Sequence, residues 1–385
     1  MSDNNFSNKE DSCNTYELCD KQPSHSNGNV NGHHGNTTEE DLTVSVPHGL
    51  SLREKKLVLH VDLNNTILVS DAVTNQGTIA ALDYFISTVT WGQMTKQGKW
   101  QWMSDSPSLL PPCEGAVSYY SQFGRVPGFT SSAAGRRFRG VLDEHLAMLR
   151  WPQELQWDKE LAVKGEDGQL YHWILPSFFQ LLKDLVAEGR DFAILFRTFG
   201  SDLPRVLSAV SKALSQGSHP LFPDLPALKL MVNETPGKIR CSVKGAVLAR
   251  AEEHLSPRDG ERALYRYLSS VQGLGGFQDH FDWWARNTYS ILGGKPLWVD
   301  PFDQDVQHIF IDDNIRQNDK DTIVHPKVFL DRGSSETRTA SISELYDLCL
   351  VQNDLLRAIS DPGYFTQRVS ICQENYDRNL QGGAA

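Results

Sequence analysis

Leu57-Val58-Leu59-His60-Val61-Asp62-Leu63-Asn64-Asn65-Thr66 is the stretch on which the reading of this chain turns. Its first five residues are apolar but for His60, so they read as a strand covered on both faces, and the run stops at a carboxylate, Asp62. Two later runs stop in the same way. Phe192-Ala193-Ile194-Leu195-Phe196-Arg197 ends in Thr198, and His308-Ile309-Phe310-Ile311 ends in Asp312-Asp313-Asn314, with Gly294-Lys295-Pro296 between them. In a parallel α/β sheet ligands collect outside the carboxyl ends of the strands, so three such strands can aim their terminal residues at one crevice. Any one of these residues alone is an ordinary turn or cap residue. The ordered set of acid, hydroxyl, lysine and paired acids carries the reading.

The segments around these runs predict alternating helices and strands, and hence a parallel α/β sheet. Pro176 to Gly189 has apolar residues at helical spacing and a glycine stop, directly before the Phe192 strand. Further helices are expected over Ile79–Thr88, Asp202–Leu214, Val243–His254, Gly260–Val271, Ile342–Ile359 and Pro362 to about Leu380. Strands are expected over Leu228–Val232 and Lys327–Leu330, and a hairpin over the aromatic stretch from Trp91 to Trp102. Residues 104–150 read as irregular, and the basic run Arg136-Arg137-Phe138-Arg139 reads as a solvated face. No internal repeat is visible.

Composition narrows the class. The 385 residues are 39% hydrophobic and 22% charged, as in an ordinary globular chain. A net charge of −11 argues against nucleic acid or an anionic membrane as a partner but leaves a phosphate substrate open, because a local cation can outweigh the global sign. The six cysteines (Cys13, Cys19, Cys113, Cys241, Cys349, Cys372) form no CxxC pair, and together with a polar N-terminus they suggest reduced thiols in a cytoplasmic protein. Residues 1 to about 50 are rich in Asn, Ser, Gly and acids and are expected to be disordered, since they offer no apolar face to bury. Asn36-Thr37-Thr38 and Asn233-Glu234-Thr235 match the glycosylation sequon but read as chance matches without a secretory signal.

The set formed by Asp62, Thr198, Lys295 and Asp312/Asp313, in that order, resembles the haloacid dehalogenase-like (HAD) superfamily of Mg²⁺-dependent phosphohydrolases. The likeness extends over about residues 55–335. It implies a Rossmannoid parallel sheet flanked by helices, with an inserted cap, here placed at about 80–170. The C-terminal helices over 336–385 lie outside the likeness and are expected to pack on the core. It also implies roles. Asp62 attacks phosphorus and becomes an aspartyl-phosphate. Thr198 holds the phosphoryl oxygens, and Lys295 offsets charge on nucleophile and phosphate. Asp62, Asp312 and Asp313, with the backbone carbonyl of Asn64, bind Mg²⁺, which places the Asp62 and Asp312 carboxylates roughly 4–6 Å apart around one octahedral ion. Lys295 is preferred as the family lysine over Lys238 and Lys244.

Asn64 is the departure. The family's phosphatases carry an acid there that protonates the leaving oxygen and later activates water. An amide does neither at neutral pH, and such acid–base help is worth roughly 10²–10⁴ in rate. His60 and Asp71 lie near in sequence but offer no confident substitute. The resulting expectation is a slow phosphohydrolase acting on a small phosphorylated molecule or a phosphoprotein. A HAD-fold pseudoenzyme that binds without turnover is the alternative, and a phosphotransferase a more distant third. The tryptophans Trp91, Trp100 and Trp102 are expected to pack within the cap rather than to stack on substrate.

Overall fold

The computed structural model describes residues 54–70 and 76–382, so the N-terminal segment and Asp71 lie outside the described residues. The chain begins β1 (Lys56–Val61), α1 (Thr78–Thr88), β2 (Trp91–Met94), β3 (Trp100–Trp102), β4 (Val117–Ser118), α2 (Tyr119–Phe123) and α3 (Arg139–Leu149). It continues β5 (Ala162–Lys164), β6 (Leu170–His172), α4 (Pro176–Ala187), β7 (Phe192–Thr198), α5 (Leu203–Gln216), β8 (Gly237–Ser242), β9 (Gly245–Arg250) and β10 (Glu253–Leu255). Next come α6 (Glu261–Ser270), β11 (Gly273–Gln278), α7 (Phe281–Arg286), β12 (Lys295–Val299), β13 (Val306–Asp312), β14 (Val324–Phe329) and β15 (Thr337–Thr339). The last elements are α8 (Ile342–Leu345), β16 (Leu350–Gln352), α9 (Leu355–Ser360) and α10 (Tyr364–Gly382).

The architecture is mixed α/β, with a large, mostly parallel central sheet flanked by helices. Its eight strands run β10-β9-β8-β11-β7-β1-β13-β16. From β8 to β16 the neighbours are parallel, and β9 and β10 extend the sheet antiparallel. Strand β1 is an interior strand, sixth of the eight, with Val61 level with Phe196 of β7 and Ile311 of β13. Side-chain alternation sorts the two faces. Leu57, Leu59, Val61, Ile194, Phe196, Ile309 and Ile311 share one core with residues of α1, α3, α4, α5 and α10. Val58 and Leu195 point to the other face, towards Leu264 of α6 and Trp298 of β12. A second sheet, β12-β14-β15, covers that face.

The segment between α1 and α4 contains two small sheets, β3-β2-β4 and β5-β6. Its Phe129, Phe138 and Leu142 belong to the same apolar cluster as β1, so the region expected as a cap shares the main core. Trp100 and Trp102 pack edge-on and stacked against Tyr119, Phe123 and Phe138, within this region.

Four parts differ from the sequence reading. Residues 104–150, read as irregular, contain β4, α2 and the helix α3, whose Leu142, Leu146 and Leu149 at helical spacing are buried. Val243–His254 is not a helix but a turn followed by β9 and β10; Ala246, Leu248 and Arg250 are buried in alternation, a period of two that a short apolar run conceals. Leu228–Val232 forms no strand: a 3₁₀ turn over Leu225–Leu228 is followed by left-handed Lys229, and Val232 makes a lone bridge to Leu274. Ile342–Ile359 is broken into α8, β16 and α9 by left-handed Asp347, and β16 adds an edge strand to the main sheet. The C-terminal region therefore supplies strands as well as helices. Strand β11 was not foreseen because of its glycines. A Cβ on Gly276 would stand 2.5 Å from Leu203 Cδ1 and 3.0 Å from Phe196 Cβ, so glycine lets α5 lie close to the sheet. Among the described residues no helix is long and apolar enough to cross a membrane.

Candidate active site

Three adjacent parallel strands deliver the site residues at their carboxyl ends: Asp62 follows β1, Thr198 ends β7 and Asp312 ends β13. Lys295 arrives from the second sheet, as the first residue of β12. Its ammonium joins the two carboxylates, with Nζ 2.6 Å from Asp62 Oδ1 and 2.8 Å from Asp312 Oδ2. The third ammonium proton goes to the Arg197 carbonyl at 3.1 Å. All three side chains are buried, at 5% exposure for Asp62, 1% for Lys295 and 0% for Asp312. Lys238 and Lys244 are exposed, far from this role.

The remaining carboxylate oxygens are held locally. Thr66 Oγ1 donates to Asp62 Oδ2 at 3.1 Å, and the Asn314 N–H donates to Asp312 Oδ1 at 2.9 Å. Asp313 accepts from Asn314 Nδ2 at 3.0 Å. Thr198 Oγ1 accepts from the Gly200 N–H at 2.9 Å, which fixes the hydroxyl at the start of the loop leading to α5. Asp62, Asn64, Thr198, Lys295 and Asp313 line one cleft of about 170 Å³. Asp312 stands behind it, reached through Lys295. The sequence-derived residues are thus brought together.

Crowding of charge shapes their protonation. Burial, then the neighbouring Asp312, raises Asp62 to about 7, against the pull of Lys295. Burial, then Asp312 and Asp62, hold Asp313 well above the carboxylate range. Burial disfavours the Lys295 charge, yet Asp312 and Asp62 together keep its pKa above the usual lysine value. The lysine therefore stays cationic and spans two acids.

Asn64 is turned away from acid–base work. In the orientation that its neighbours dictate, its amide nitrogen donates to Asp202 Oδ2 at 3.3 Å and to the Ser70 carbonyl at 3.2 Å. His60 does not reach the cleft. It lies inside the sheet in a hydrogen-bonded row: Arg197 Nη1 to His60 Nδ1 at 3.0 Å, His60 Nε2 to His308 Nδ1 at 2.9 Å, and His308 Nε2 to Ser269 Oγ at 2.9 Å. A guanidinium only donates, so His60 Nδ1 accepts and both imidazoles carry their proton on Nε2. Burial, Arg197 and His308 keep the His60 pKa well below its usual value, so the imidazole is neutral.

Arg197, fully buried, is the support that sequence reasoning missed. It forms a two-pronged pair with Asp279 at 2.7 and 2.8 Å, donates to the Pro296 carbonyl at 3.0 Å, and presents its own carbonyl to Lys295. A charged residue inside an apolar strand was the available signal. Also missed were Asn65, Tyr84, Arg125, Phe199 and Trp284, which complete the cleft. Of these Asn65 and Phe199 stand beside the motif residues Asn64 and Thr198; Tyr84, Arg125 and Trp284 come from loops and helices that a linear reading does not bring near. In the basic run, Arg137 pairs with Asp105 and Arg139 with Asp143, as on an ordinary surface.

The donor set fits a hard divalent cation. Asp62, Asp312 and Asp313 each offer a carboxylate oxygen, and these lie within 4.8 Å of one another. Mg²⁺ prefers such oxygens and keeps waters besides. Asn65 is 5% exposed, lines the cleft, and has no partner for its Oδ1 among the described residues; a cation-borne water is the kind of donor that would satisfy it. Among the described residues no disulfide forms, and Cys113, Cys241, Cys349 and Cys372 are free thiols. Compared with protein-family models, curated proteins and solved structures, the chain matches none of them.

Proposed function

We propose that the chain is a HAD-like, Mg²⁺-dependent phosphohydrolase that works through an aspartyl-phosphate on Asp62. One observation carries the reading: Lys295 clamps Asp62 and Asp312 from a different sheet, at 2.6 and 2.8 Å, while Thr198 faces the same cleft. A structural ion pair does not call for a third acid and a hydroxyl around a solvent-reached opening; a phosphoryl site does. Mg²⁺ held by Asp62, Asp313, Asp312 and the Asn64 carbonyl would neutralise charge on the phosphoryl group. Asp62 Oδ2, the oxygen not held by Lys295, is the nucleophile. Thr198 and Lys295 steady the transferring oxygens. The substrate is a phosphorylated small molecule or a phosphorylated side chain of a protein.

A HAD-fold pseudoenzyme that binds a phosphorylated partner is the second reading, favoured by the commitment of the Asn64 amide to Asp202 and Ser70. The two separate on one experiment. Full-length protein with Mg²⁺ and a strongly activated aryl phosphate should release phosphate, and Asp62→Asn should abolish the release. No activity in either form would end the hydrolase reading in favour of the binding one, and activity that survives Asp62→Asn would remove Asp62 as the nucleophile.

A further inference from the structure

We infer that this site is confined to phosphate esters whose leaving group departs without a proton, and that its substrate is an aryl phosphate. The inference rests on the hydrolase reading above and names the substrate class of that same site. It starts from the absence, among the described residues, of an available acid on the leaving-group side. Asn64 has no acidic proton, and both hydrogens of its amide are engaged by Asp202 at 3.3 Å and the Ser70 carbonyl at 3.2 Å. Lys295 has given its three protons to Asp62, Asp312 and the Arg197 carbonyl. Tyr84 reaches the cleft from α1, but burial, then Tyr120 and Asp313, raise its pKa above the ordinary phenol value, which makes it a weaker acid still. Arg125, whose guanidinium lies over the Tyr84 ring at 4.2 Å, does not release a proton at all. Asp62 and Asp313 are committed to nucleophile and cation.

The walls point the same way. Beside the nucleophile stands a wall of rings: Phe199 lies 5.0 Å from Lys295 Nζ, stacks on Trp284 at 5.4 Å and 21°, and meets Phe281 edge-on at 5.6 Å. Tyr84 and Arg125 add a ring and a stacked guanidinium to the same cleft. Such surfaces accept a flat, apolar leaving group with its own π-face. At about 170 Å³ the cleft is smaller than the roughly 300 Å³ at which drug-sized pockets begin, so it encloses a phosphoryl group and one ring and leaves the rest of the molecule outside.

The chemistry balances without an acid only for such a substrate. An Asp62 carboxylate oxygen forms a bond to phosphorus as the phosphorus–oxygen bond of the ester breaks. The bonding pair leaves on the aryl oxygen as a phenolate, which takes its proton from bulk water. A water then attacks the phosphorus of the aspartyl-phosphate; the bond to Asp62 breaks with its electron pair, which restores the carboxylate, and the water's proton passes to the released phosphate. An alkyl alkoxide has no comparable stability and would need a proton in the first step.

The test is a leaving-group series on the full-length protein with Mg²⁺: phenyl phosphates from unsubstituted to dinitro-substituted, against glycerol phosphate and phosphoserine. Expected is a steep fall of log kcat/KM with rising leaving-group pKa, and alkyl esters about 10³-fold or more slower than the activated aryl esters. Asn64→Asp should flatten the slope and raise alkyl turnover by about 10²-fold relative to the dinitro ester. A flat slope in the unaltered protein, or alkyl esters as fast as aryl ones, would overturn the inference while leaving the hydrolase intact. So would a selective loss on poor leaving groups in Asp202→Asn, which would identify Asp202 as the acid. Failure on the dinitro ester itself, with no effect of Asp62→Asn, would instead remove the hydrolase reading and this inference with it. The slope of the unaltered protein decides the matter even if a variant does not fold.

Discussion

Lys295 is the residue on which the site depends. It is a buried cation between two buried carboxylates, and breaking such a pair by removing one partner costs about 3–5 kcal/mol, because the remaining charges are uncompensated. Lys295→Met should therefore lower stability by that order and abolish phosphate release, and added Mg²⁺ should restore part of the lost stability by replacing the missing positive charge. Denaturant unfolding with and without Mg²⁺ checks both statements; an unchanged midpoint would show that the clamp contributes nothing. At this scale the sequence was informative. The setting of Lys295 in Gly293-Gly294-Lys295-Pro296, 17 residues before Asp312, was enough to pick it over Lys238 and Lys244. It did not reveal Arg197, since the partners that make a buried guanidinium tolerable, Asp279 and His60, lie 82 and 137 residues away. Nor did it reveal that Asn64 would turn to Asp202, because that contact depends on where α5 begins.

Elements were legible where one periodicity dominated and hidden where glycine or a short apolar run made two readings equal. Helix α4 and strand β7 emerged within two residues of expectation, because an amphipathic helix followed by a fully apolar strand has one interpretation. Strand β11, with Gly273, Gly275 and Gly276, carries none of the β-branched side chains that mark a strand, and its pairing with β7 is visible only in three dimensions. The glycines have a mechanical purpose that can be tested. Gly276→Ala would press a methyl into Leu203 and Phe196, and such overpacking costs about 1–3 kcal/mol. Because Leu203 opens α5, the same change should displace the loop from Thr198 and raise KM for phosphate esters. A shift of the urea midpoint at constant m-value would confirm the first part. A variant as stable as the parent would mean that α5 yields without strain.

Taken whole, the molecule buries more imidazole than it can charge. Burial holds His172 near 4, and burial with neighbouring positive or imidazole groups holds His219 and His308 near 3, against a usual value of 6.5; His60 is lowered as well. The unfolded chain takes up protons at these positions below about pH 6.5, and the native state refuses them. Their effect on stability is therefore absent above that pH, and stability falls as pH drops, by roughly 1.4 kcal/mol per pH unit for each histidine, until the folded pKa values near 3–4 are passed. Thermal melts should show a steep loss between pH 6.5 and 5, and His172→Phe should lessen it while changing little at pH 8. A pH dependence of the melting temperature identical in His172→Phe and the parent would contradict the neutral, buried state of that ring.

The interior position of β1 has a consequence for synthesis. Its two neighbours in the sheet are β7, which begins 131 residues later, and β13, which begins 245 residues after Val61. At roughly 5–20 residues per second, a ribosome needs on the order of ten to fifty seconds to deliver the second of them. During that interval the apolar strand that ends at Asp62 has at least one open edge, in a nascent chain that cannot yet close its own middle. The strand that ends at Asp62 is thus made long before both of its edges can be covered, which makes its exposure a natural target for chaperones that grip extended hydrophobic chain.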